Sequence, residues 1–198
     1  MQIQNQQKVI DWKDHEFDGL YDEEYRRHSL IHWTPIEAAK KALEWLNVTR
    51  DTHTLDIGSW IGKFCSFGAI YTDGQFTGVE NRLDLIEVAN SINKKLNIKN
   101  AEYVHSNITE IDFRNYDSFY YYNPFCEYIS ISDSIDDSIS YSPEKHREYE
   151  DSVIEKFQDL PINTKVVTYC SEKFAFPDTY ELKELKFKDR LALWIKTK

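Results

Sequence analysis

From residue 34 onward the apolar positions fall into blocks of two alternating periods. Ile36, Ala39, Leu43 and Leu46 recur at helical spacing and predict a helix to about Leu46. Thr34-Pro35-Ile36-Glu37 reads as its capping box, with Pro at the first helical position. A short apolar run, residues 54–57, predicts a strand, and a helix is expected over about 63–71. A second strand follows at 75–80, then an amphipathic helix over 83–96 carried by Leu85, Val88, Ala89, Ile92 and Leu96. Further strands are expected at 101–105, 118–122 and 165–170, with a helix over 144–160. Residues 180–187 and 191–196 read as two antiparallel strands joined around Lys188-Asp189.

Strand and helix alternate, and then two strands come in succession. This predicts an α/β, doubly wound, mainly parallel seven-stranded sheet with helices on both faces and an antiparallel C-terminal edge hairpin. Residues 1–33 are polar and acidic with scattered aromatics, and read as an N-terminal extension or arm. Residues 34–198 read as one domain, since 198 residues leave little room for a second. The biased acidic stretch within 129–142 reads as a loop or lid.

Composition narrows the function classes. The formal net charge is −10, and basic residues are dispersed, the longest cluster being a pair such as Lys94-Lys95. An obligate nucleic-acid partner is therefore disfavoured. No apolar run approaches the ~20 residues of a membrane span. The first residues lack the basic-then-apolar pattern of a secretion signal. Cys65, Cys126 and Cys170 form no CxxC pair, so neither a disulfide framework nor a metal site is expected, and a cytoplasmic setting is. His28 and His32 can share a helical face but lack a third ligand.

The chemistry concentrates in Leu55-Asp56-Ile57-Gly58-Ser59-Trp60-Ile61-Gly62. An acid closes a buried strand, and glycines open the turn into a helix, where a ligand can approach backbone closely. Glu80 ends the next strand, at the separation from which a carboxylate can hold ribose hydroxyls. Alone, Glu80 would be an ordinary surface carboxylate; with Asp56 and the turn it describes a nucleoside site. A dinucleotide fingerprint would need Gly where Trp60 and Lys63 stand, and a Walker loop needs four residues between its glycines where three stand between Gly58 and Gly62.

Asp56, Gly58 and Gly62, then Gly78-Val79-Glu80, then Asn123-Pro124-Phe125 resemble, in order, three motifs of the class I, Rossmann-like S-adenosylmethionine (SAM)-dependent methyltransferases. Two departures stand out: Trp60 replaces a usual Gly, and one Pro is missing after Asn123. The resemblance implies SAM as cofactor, with Asp56 near its methionine part and Gly58, Ser59, Trp60 and Gly62 along the loop. It further implies Glu80 on the ribose, Asn107 and Ile108 near adenine, and Asn123, Pro124 and Phe125 facing the methyl group and acceptor. Thr34, at a helix start suited to a carboxylate, is a further cofactor candidate, although a plain helix start is the simpler reading. The acceptor is expected to be a small molecule or a protein side chain. A catalytically silent SAM-binding module and a nicotinamide-dependent oxidoreductase are the rival readings.

Overall fold

The computed structural model describes residues 11–130, 138–171 and 174–198, so the centre of the 129–142 segment lies outside the described residues. The elements are α1 (Asp14–Asp18), α2 (Glu23–Arg26), α3 (Ser29–His32), α4 (Ile36–Leu46), β1 (His53–Ile57), α5 (Lys63–Tyr71), β2 (Gln75–Glu80), α6 (Leu83–Lys95) and β3 (Ala101–His105). They continue with β4 (Ser118–Tyr121), α7 (Pro143–Gln158), β5 (Lys165–Tyr169), β6 (Tyr180–Lys186) and β7 (Leu191–Lys196).

The seven strands form one sheet in the order β3-β2-β1-β4-β5-β7-β6. The first five are mutually parallel, and β7 runs antiparallel between β5 and β6. The α/β sheet with its C-terminal antiparallel pair is thus the one expected from the sequence. Side-chain alternation sorts the core into two layers. One holds Tyr120 and Val167 against Ala42 and Leu43 of α4, Phe64 and Phe67 of α5, and Leu85 and Ile92 of α6. The other holds Leu55, Ile57, Phe119 and Tyr121 against Val153 and Phe157 of α7. Consecutive tyrosines serve opposite layers: Tyr120 stacks on Phe64 at 3.8 Å between ring centroids, and Tyr121 leans on Phe174 at 4.5 Å.

The segment ahead of α4 contributes to the first layer, where Phe17, Tyr21 and Trp33 are buried. Lys63, at the start of α5, holds it by ion pairs to Asp14 at 2.8 Å and Asp18 at 2.6 Å. The capping box expected at Thr34 does not form. Thr34 Oγ1 instead shares a buried 2.8 Å hydrogen bond with the hydroxyl of Tyr120. The α4 amide of Ile36 is met from outside the local sequence, by Asp14 Oδ1 at 3.0 Å. Strand β4 ends one residue earlier than its apolar run because Asn123 turns left-handed, with φ 38°.

Candidate functional site

The strand order reverses direction between β1 and β4, since β2 and β3 lie on one side and β5 on the other. A crevice forms at the carboxyl ends of strands at such a switch point. Here it lies between the turn after β1 and the turn after β4. Gly58 has φ 72°, and a Cβ on it would lie 2.4 Å from Pro124 Cβ. Only a residue without a side chain lets these two turns pass so closely.

Three hollows meet at Gly58. A narrow slot of about 50 Å³ runs over the ends of β2 and β3, lined by Glu80, Arg82, Asn107, Ile108, Phe125 and Tyr149 among others. A wide cleft of about 440 Å³ opens over β4, lined by Trp60, Tyr122, Asn123, Pro124, Cys126 and Arg190 among others. A small hollow of about 30 Å³ lies under the segment preceding α4, lined by Trp33, Thr34, Asp56, Ser59, Trp60 and Lys63 among others.

Asp56, next to last in β1, lines this last hollow. It is buried and accepts a hydrogen bond from the Cys65 thiol at 3.5 Å. Burial pushes its carboxyl up to about 7, the Cys65 hydrogen bond opposes that rise, and the charge of Glu80 adds to it. Burial likewise pushes the Cys65 thiol up, so it serves Asp56 as a donor rather than as a thiolate.

Glu80 is also buried and is held from several sides. Its Oε1 accepts the backbone amides of Asn81 at 3.0 Å and Arg82 at 3.1 Å, and Arg82 Nε at 3.3 Å. Its Oε2 accepts the amide of Trp60 at 3.2 Å. Arg82 reaches on to Glu127, with Nη2 to Oε1 at 3.1 Å. Burial raises the Glu80 carboxyl, and Arg82 together with the two amides pulls it back. The slot wall is therefore a Glu80–Arg82–Glu127 chain of two acids and one base.

Trp60 stands where a glycine would be most at ease. Its φ is 49°, a left-handed conformation that costs a residue with a side chain roughly 1–2 kcal/mol. The hydrogen bond that the Trp60 amide donates to Glu80 holds the backbone, and the ring sits among Trp33, His32 and His28 at centroid distances of 5.6, 5.7 and 6.0 Å. The indole thereby lines both the small hollow and the wide cleft.

The remaining candidates divide among these hollows. Asn107 and Ile108 line the slot, where Asn107 Nδ2 donates to the hydroxyl of Tyr149 at 3.0 Å. Ser59 and Thr34 line the small hollow. The hydroxyl of Ser59 is buried with no hydrogen-bond partner among the described residues. Asn123 and Pro124 line the cleft, with the Asn123 amide donating to Ser171 Oγ at 3.0 Å. Phe125 turns the other way, into the slot, 5.3 Å from the ring of Tyr149. Gly62 lines none of the three hollows. Its left-handed turn instead makes room for the Tyr103 ring, which a Cβ would meet at 2.4 Å.

Arg82, Glu127 and Tyr149 line the slot and were not singled out in the sequence. Arg82, two positions after Glu80, carried the one local signal. Glu127 and Tyr149 reach the slot through contacts 45 and 42 residues apart in sequence.

No protein-family model matches the chain, and no curated protein matches it in sequence. Solved structures do match in fold. A methyltransferase from Geobacter sulfurreducens superposes with a TM-score of 0.65 at 10% identity, covering 95% of this chain and 93% of that one. An RNA methyltransferase from Salinibacter ruber, solved with S-adenosyl-L-homocysteine, gives 0.59 at 20% identity over 83% and 94%. The [4+2]-cyclase SpnF gives 0.51 at 10% identity over 67% and 43%. The chain has the class I methyltransferase fold, a fold that also carries other chemistry.

Proposed function

We propose that the chain is a SAM-dependent methyltransferase acting on a small molecule or a protein side chain. One observation carries this reading: Asp56, Glu80 and the Asn123-Pro124 turn converge on Gly58, where a slot, a hollow and an open cleft meet. That is the shape needed to hold an elongated nucleoside by both ends while its middle faces a second reactant. The Salinibacter ruber neighbour, solved with S-adenosyl-L-homocysteine on the same fold, supports it.

The residues fit such a cofactor. Glu80 has an oxygen with a single donor, suited to a ribose hydroxyl. Asn107, Ile108 and the rings of Phe125 and Tyr149 would flank the base. At about 50 Å³ the slot holds a few waters rather than a purine, so its walls must part to admit one. Bound SAM supplies an activated methyl on a sulfonium. The chain's own task is then alignment and exclusion of water. Asn123, at the cleft floor, would hold an acceptor by its side-chain oxygen and cannot serve as a strong base.

Calorimetric titration with SAM, S-adenosylhomocysteine and NAD tests the reading. Saturable binding of the first two is expected, weakened by roughly tenfold or more in Glu80→Gln, which removes a charged acceptor. A folded chain that binds neither SAM form refutes the reading, and binding of NAD alone favours an oxidoreductase. SAM binding without turnover across an acceptor screen that includes RNA favours the silent module.

A further inference from the structure

Four tryptophans, Trp33, Trp45, Trp60 and Trp194, bury indole N–H groups that have no acceptor among the described residues. Two of them, Trp33 and Trp60, line the same small hollow, and their rings are 5.6 Å apart. The other two line none of the three hollows around Gly58. An indole nitrogen can only donate, and burying it unpaired is unfavourable. Two such donors on residues that line one hollow point to an acceptor there with more than one lone pair.

The rest of the hollow sharpens the class of ligand. Ser59 adds a buried hydroxyl with no partner among the described residues. Asp56 adds a buried carboxyl whose described partner is a thiol, a weak donor. Lys63 is also present, but its ammonium is already shared between Asp14 and Asp18. A simple anion would thus meet neutral donors beside an acid. A zwitterion suits the hollow better, with its anion toward the indoles and its ammonium toward Asp56.

We propose that Trp33 and Trp60 form a two-indole seat for the carboxylate of an α-amino-acid group, beside Asp56, which the resemblance already sets near that end of the ligand. The inference rests on the nucleoside reading and assigns residues to the amino-acid end of that ligand. It gives Trp60 a use that glycine could not serve, set against its left-handed backbone. It also brings Trp33, from the segment before α4, into the binding site. The hollow now has room for water only, so it must widen as the group enters.

The test is calorimetry with S-adenosylhomocysteine and with its decarboxylated analogue, which keeps the amine. The wild type is compared with Trp33→Phe and Trp60→Phe, which retain a ring and lose the N–H, and with Trp45→Phe as a control outside the hollow. Circular dichroism verifies folding. Each of the first two variants is expected to weaken S-adenosylhomocysteine at least tenfold and to leave the decarboxylated analogue within about twofold, with Trp45→Phe unchanged for both. Unchanged binding of both ligands, or equal weakening of both, overturns the seat while leaving the nucleoside site standing. A wild type that binds neither ligand overturns the nucleoside reading, and the seat with it.

Discussion

Asp56 shows how one side chain can weaken a fold while equipping it. Its carboxyl is raised from an ordinary value of 3.8 to about 7, chiefly by burial. Ionising it therefore favours the unfolded chain. The penalty is absent below about pH 4, grows as pH rises to about 7, and then levels at something on the order of 4 kcal/mol. Asp56→Asn, which cannot ionise, is expected to raise the melting temperature by several degrees at pH 8 and hardly at all at pH 4. Thermal unfolding followed by circular dichroism at the two values checks this; an equal shift at both would locate the effect in packing rather than charge. The same variant removes the acid beside the proposed two-indole seat.

Among the elements, α1 is five residues long and could not persist alone in water. Asp14 ties it to two others, meeting the first amide of α4 and the ammonium of Lys63 on α5. Asp14→Ala is expected to cost about 1–2 kcal/mol, an uncapped helix end plus a weakened ion pair, and to lower the melting temperature by several degrees. Protease sensitivity rising first in the segment before α4 would confirm that the tie acts there; sensitivity appearing uniformly along the chain would not.

The same example marks how far the sequence was legible. Strands and helices from β1 to β7 follow from apolar periods, and the bounds of α5, β2, β3 and β7 agree residue for residue. The start of α4 was misread because Thr34 and Glu37 satisfy the local spacing of a capping box. The distant hydroxyl of Tyr120 takes up Thr34, and no local pattern announces it. At the site, Asp56, Gly58 and Glu80 could be read because acids and glycines at strand ends are local facts. That Phe125 turns from the cleft into the slot, and that Arg82 bridges Glu80 to Glu127, depend on which loops the fold brings together.

At the scale of the whole molecule, the sheet order places the site and limits what the fold alone can say. The switch between β1 and β4 creates a crevice whatever reaction occurs in it, as a methyltransferase and a cyclase of similar fold illustrate. The integrity of the sheet rests on its far side, where β7 separates β5 from β6. Removing residues 191–198 strips Leu191, Ala192 and Leu193 from the core and leaves β5 as an open edge. The truncated chain is expected to lose cooperative urea unfolding and to aggregate; a sharp, monomeric transition would show that β7 is dispensable.

The placement of β7 also bears on how the chain is made. A ribosome releases β6 before the strand that must lie between it and β5, so for a time the two can pair as a non-native hairpin. β6 is poorly suited to that partnership. Residues 181–186 are exposed in the finished sheet and include Glu181, Lys183, Glu184 and Lys186, whereas Val166 and Val167 of β5 are fully buried. Charge on the early strand is thus expected to disfavour a β5–β6 pairing while β7 is still missing.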